Sequence, residues 1–201
     1  MMGPKINWLG LAAGIVTLTM LAISLYLPWW QLTIGENLIK INASPVYTNF
    51  GLLGTQFTMP LIWALNLITI LTFTACGVVM LVYSLVPTKP YAKQLLGFSY
   101  RKPLYTVVSF VVILAIIILI AGHFGLSIPL MGSATVTLPG SWTMGATVSA
   151  LLSGNFELSF WLAIAAAALC FAARLYHSRV AKAPTAPGTA TAATGTTAAS
   201  V

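Results

Sequence analysis

Very few side chains in this chain of 201 residues could take part in chemistry: two histidines, two cysteines and two acidic residues. His123 and His177 are of the type that ligates haem or a transition metal. They fall near opposite ends of two apolar runs, however, so most of a bilayer's thickness separates them and one iron cannot take both. Cys76 and Cys170 each lie inside an apolar run and could be neighbours. Two thiols without a spaced motif read first as small apolar interior residues. His123 and Glu157 share a level, because the run that holds His123 ends where the next begins, and a carboxylate there favours a charged imidazole. The structural alternative, Glu157 at a helix start where negative charge complements the dipole, outweighs that outer polar pair.

Asn66 is the one strongly polar side chain well inside an apolar run, with Thr69 and Thr72 nearby. It reads as packing glue that hydrogen-bonds across to another helix. Gly10 and Gly14 form a small-x-x-x-small pair that allows close helix contact, with within-bundle packing as the default. The sequence holds no nucleophile and base pair, no Gly-rich phosphate loop and no metal-ligand spacing. No enzymatic activity, no cofactor and no metal is therefore expected.

The elements that would position these residues follow from composition. Hydrophobic residues make up 59% of the chain and charged residues 5%, far from the roughly 25% charged share of a soluble domain. The apolar residues gather into four runs at about residues 8–30, 60–86, 104–126 and 158–177, each long enough to cross a hydrocarbon core at about 1.5 Å per residue. The expected fold class is an all-α membrane protein, a four-transmembrane-helix bundle with a small extracellular β-rich cap. The first run is too long for a secretory signal and ends in Pro28, Trp29 and Trp30, so it reads as an uncleaved anchor.

Orientation follows from the cations. Lys5, Lys89, Lys93, Arg101, Lys102, Arg174, Arg179 and Lys182 fall on one side of a four-span topology, and Lys40, Glu36 and Glu157 on the other. Cationic segments stay cytoplasmic, which places both chain ends on the cytoplasmic side of a cell membrane. The net charge of +7 then reflects topology and attraction to anionic lipid headgroups. The basic residues form no clustered stripe, so nucleic acid is not an expected partner. Trp29, Trp30, Trp63 and Trp161 would mark the outer interface, and Trp8, Tyr83, Tyr105 and Tyr176 the inner one.

Two outer segments remain, residues 31–59 and 127–157. In the first, Leu32 and Ile34 alternate, turn through Gly35, Glu36 and Asn37, and resume at Ile39 and Ile41, a hairpin signal. In the second, residues 134–138 read as a strand closed by Pro139 and Gly140, able to pair with the hairpin's edge. A third strand would stabilise a hairpin that is marginal alone. Residues 143–153 suit an interfacial helix or a dip into the outer leaflet. From residue 183 the chain is almost exclusively Ala, Thr, Pro, Gly and Ser, a composition expected to be disordered.

Leu27, Pro28, Trp29, Trp30, Gln31, Leu32 and Thr33, followed by Gly51, Leu52 and Leu53 before the second run, give the chain a resemblance to the claudin group of tetraspan membrane proteins. Trp30 would correspond to that family's tryptophan, and Gly51 and Leu52 to the start of its Gly-Leu-Trp motif, with Leu53 in place of the second tryptophan. The resemblance implies four spans, cytoplasmic ends and an outer sheet to which the second segment adds a strand. The family's paired loop cysteines are absent, since Cys76 and Cys170 both lie in apolar runs. The expected function is a non-catalytic structural or interaction component working through the outer cap, in contact with the lipid bilayer and with itself or another membrane protein. The competing expectation is an accessory hydrophobic subunit of a respiratory or transport complex.

Overall fold

A computed structural model of the chain describes residues 6–35, 38–138 and 148–181. Among them, helix α1 (Trp8–Ser24) is followed by strands β1 (Trp30–Ile34), β2 (Ile39–Ala43), β3 (Asn49–Leu52) and β4 (Thr55–Phe57). Helices α2 (Pro60–Leu85) and α3 (Ala92–His123), strands β5 (Gly132–Leu138) and β6 (Val148–Phe156) and helix α4 (Leu158–Ala181) complete the order. The turns at Glu36 and Asn37 and at Pro139 and Gly140, residues 143–147 and the tail from residue 183 lie outside the described residues.

Helices α2, α3 and α4 are each long and apolar enough to cross a membrane. Helix α1 is equally apolar but has 17 residues. It does not run to Trp30, as its apolar run suggested, because Pro28 carries no N–H and disfavours helical geometry at Leu27. Helical hydrogen bonding persists only to Leu27, whose N–H donates to Ile23 O at 2.9 Å.

Helix α3 departs further from expectation. It begins at Ala92 rather than near residue 104, with Pro103 inside it. A proline in a helix interior costs about 3 kcal/mol, but Ala92, Leu96, Ser99 and Pro103 form one buried stripe. Ala92 and Leu96 pack into a core with Ala13, Met80, Tyr83 and Cys170, and that burial outweighs the lost hydrogen bond.

The helices form a closed square in which α1 and α3 each pack against α2 and α4. Gly10 and Gly14 set the closeness of α1 and α2. A Cβ on Gly10 would stand 3.1 Å from the Tyr83 ring, and one on Gly14 2.7 Å from Leu81 Cδ2. The small pair therefore faces a neighbouring helix of the same bundle.

Six antiparallel strands form one sheet in the order β4-β3-β2-β1-β6-β5. The sheet caps the end of the bundle where α1 and α3 finish and α2 and α4 start. The expected strand at residues 134–138 exists as β5, but it pairs with β6 and does not reach the hairpin. It is β6 that joins β1, in register from Trp30 with Phe156 to Ile34 with Leu152. Residues 148–153 are thus strand, not interfacial helix. Their helical spacing of Val148, Leu151 and Leu152 loses to the period-two set Ala150, Leu152 and Phe156, which packs inward with Trp30, Leu32 and Val136 against Leu114 of α3.

Candidate functional site

The sheet's inner face is fixed by two adjacent tryptophans that turn opposite ways. Trp30 points toward α3 and donates from Nε1 to Leu130 O at 2.9 Å. Trp29 plugs the end of the bundle. It is fully buried and belongs to one core cluster with Met20 and Leu21 of α1, Phe73 of α2, Phe160 and Ala163 of α4 and Val46 of the β2–β3 loop. Its ring lies edge-on to Phe73 and Phe110 at 6.5 and 5.2 Å. Its N–H donates to Ser24 Oγ at 3.0 Å, and its own carbonyl accepts the N–H of Glu157 at 3.1 Å. One residue thereby ties four helices to both segments of the sheet.

The opposite face of the sheet is polar. Gln31 Nε2 donates to Asn42 Oδ1 at 2.8 Å, Asn42 Nδ2 to Asn49 Oδ1 at 2.7 Å, and Asn49 Nδ2 to Gln56 Oε1 at 2.9 Å. This amide ladder crosses the first four strands, and Asn42 and Asn49 are buried within it. Each amide is both donor and acceptor, so the ladder can be fully satisfied away from water.

The β3–β4 hairpin turns on Leu53 at φ 50° and Gly54 at φ 82°. Two successive positive φ angles define the turn that ordinarily takes Asn-Gly, and a leucine in the left-handed region costs about 1 kcal/mol. Leu53 is nevertheless 74% exposed, beside exposed Leu38 and Leu52. Its N–H donates to Leu38 O at 2.8 Å, which holds the three leucines together at the corner of the sheet. Gly51, on the same strand, would set a Cβ 3.4 Å from that of Lys40.

At the far end of the bundle a polar network crosses three helices. Asn7 caps α1 by accepting the N–H of Gly10 at 3.1 Å, and its Nδ2 donates to Tyr83 Oη at 2.7 Å. The same hydroxyl lies 2.9 Å from His177 Nδ1. Asn7 and Tyr83 are buried, so the network aligns α1, α2 and α4 and gives His177 a neighbour in the fold.

His123 closes α3, exposed, with its ring edge-on to Phe124 at 5.8 Å. Among the described residues it forms no ion pair with Glu157, which sits in the corner between β6 and α4. Asn66 bonds no other helix. With its amide turned so that Nδ2 donates to Pro45 O at 3.2 Å and Oδ1 accepts from Thr48 N at 3.0 Å, it ties α2 to the β2–β3 loop. Thr69 and Thr72 bond carbonyls of their own helix. Cys76 and Cys170 are buried free thiols. Among the described residues no three His, Cys, Asp or Glu side chains converge as metal ligands do.

No protein-family model matches this chain, and no curated protein matches it.

Proposed function

We propose that this chain is a non-catalytic, multi-pass membrane protein that acts as a structural or interaction component through its sheet. In this reading α1 to α4 all span the bilayer, with Leu25 to Trp30 completing the first crossing, both chain ends are cytoplasmic and the sheet stands outside. The topology is that of the claudin-like tetraspans, which the motif around Trp30, Gly51 and Leu52 resembles. The observation that carries the proposal is Leu53. A strained backbone position displays an exposed leucine where a polar residue would be more stable, and such a choice fits a contact surface.

The test is Leu53→Asn in gently solubilised protein. The substitution should relieve the turn yet weaken association with a second copy or a membrane partner, read by chemical cross-linking in the same mild detergent. Unchanged cross-linking, in Leu53→Asn and in Leu52→Ser, would refute the contact role. Topology is checked separately with cysteines engineered at Asn37, Gln94 and Thr189, of which only the first should react from outside intact cells.

One observation is compatible with the accessory-subunit reading as well. Val108, Val111, Val112, Ile113, Ile116 and Ile117 leave the outward side of α3 exposed, a surface that partner helices could cover as well as lipid. Stoichiometric co-purification with redox or transporter subunits would decide for that alternative.

A further inference from the structure

Where α3 and α4 pack near the basic end of the bundle, two guanidinium groups converge on one ring. Arg174 of α4 lies 5.6 Å from the centroid of Tyr100, and Arg101 of α3 lies 5.9 Å from it. Arg101 also donates from Nε to Tyr100 Oη at 3.4 Å. The tyrosine face stabilises each cation but neutralises neither. Lys102 follows directly on α3, and Lys93 stands two turns earlier on the same helix. Like charges gathered around one ring repel one another, and a shared anion would relieve that repulsion.

The chain supplies no carboxylate side chain for that place. Its two acids are Glu36, which lies between β1 and β2 in the sequence, and Glu157, between β6 and α4, each separated in the chain from α3 and from the Arg174 end of α4. The depth of the cluster is also informative. No Asp, Glu, Lys or Arg occurs in α3 after Lys102, nor in α4 before Arg174. With those two apolar stretches in hydrocarbon, Arg101, Lys102 and Arg174 lie at the level where phospholipid phosphates sit. A guanidinium offers planar paired donors that match phosphate oxygens.

We propose that Arg101 and Arg174, both within 6 Å of the Tyr100 ring centre, form a binding site for the phosphate headgroup of an anionic membrane phospholipid, with Lys102 at its rim. Occupancy joins α3 to α4 through the lipid at the corner where Arg101 and Arg174 meet. The site is independent of what the sheet contacts, and its failure would leave the interaction role untouched.

The experiment is lipid competition on the full chain in mild detergent, with bound lipid counted by native mass spectrometry. Phosphatidylglycerol, phosphatidylcholine and inorganic phosphate are the three probes. Each guanidinium should contribute about fivefold to the preference for phosphatidylglycerol, which converts to about 1 kcal/mol. Arg101→Gln with Arg174→Gln should therefore lose about 25-fold of that preference, while Lys40→Gln at the sheet end and Arg179→Gln, further along α4, should retain it. The Arg101→Lys, Arg174→Lys variant keeps the charge without the paired donors and should fall between, which guards against a Gln variant that does not fold. Equal binding of the two lipids, equal loss in Arg179→Gln, or displacement of the lipid by millimolar inorganic phosphate would overturn the proposal.

Discussion

Replacing Trp29 with alanine should be the most damaging single truncation in this protein. The side chain is fully buried among residues of all four helices and the β2–β3 loop. Truncating a buried tryptophan costs about 3–5 kcal/mol through lost contacts and the cavity left behind. The lost bond to Ser24, whose hydroxyl oxygen would keep no N–H donor from Trp29, adds about 1 kcal/mol. Trp29→Phe separates the two contributions, since it keeps a ring beside Phe73 and Phe110 and removes only the N–H and part of the volume. It should cost about 1–2 kcal/mol. Equilibrium unfolding in mixed micelles with increasing sodium dodecyl sulfate, followed by far-ultraviolet circular dichroism, reads both without relying on tryptophan emission. Trp63→Ala is the control, because Trp63 is 62% exposed and its loss should stay within about 0.5 kcal/mol of the parent. If Trp29→Ala unfolds with the control, the junction of sheet and bundle does not depend on that side chain and the packing argument fails.

Other substitutions probe separate parts of the fold. Gly154→Ala would place a Cβ 2.2 Å from Pro129 O; because a backbone atom must move, the sheet should become sensitive to protease in β5 and β6 while the helices remain folded. Gly97→Ala meets nothing within 4 Å and should stabilise α3 by about 0.5–1 kcal/mol, measured in the same unfolding assay. Tyr83→Phe removes the hydroxyl shared by Asn7 and His177 and should cost about 1–3 kcal/mol, with faster amide exchange at the first turn of α1. Asn66→Leu should leave α2 intact but expose the β2–β3 loop to proteolysis, since Pro45 O and Thr48 N lose their anchor.

The elements legible in the sequence were those whose periodicity had no competitor. The long charge-free stretches of α2, α3 and α4, the alternation through Leu32, Ile34, Ile39 and Ile41, and the strand at residues 134–138 all follow from local pattern. What was not legible depends on contacts between distant segments. Pro103 signals a helix boundary locally, and only the packing of Ala92 and Leu96 against Tyr83 and Cys170 keeps the helix running through it. Strand β6 reads as an ambiguous mixture of small and apolar residues until β1 supplies its partner.

The candidate sites show the same division. Trp29 and Trp30 read alike as interface residues, because sequence cannot tell which of two neighbours turns inward. Asn66 was legible as a group needing a partner, but not which partner, since the choice between a helix and a loop is set by tertiary placement. The pairing of Gln31 with Asn42 could have been found by extending the hairpin register outward from Ile34 and Ile39. The steps onward to Asn49 and Gln56 need the third and fourth strands as well. Asn7 gave no signal, and Tyr83 read only as an inner-interface aromatic, since the partner that each finds in the other comes from a distant segment.

The place of β1 between β2 and β6 constrains how the molecule can be made. When a ribosome has delivered β1 to β4, the flank of β1 that will receive β6 is an open row of backbone donors and acceptors, and its complement, which lies beyond α2, α3 and β5 in the chain, has yet to be made. Two further helices must be synthesised before that flank can close, so a nascent or truncated chain carries an adhesive border that the finished protein conceals. The arrival of residues 148–156 closes that border, and fragments ending before it should be aggregation-prone even though their helices are intact.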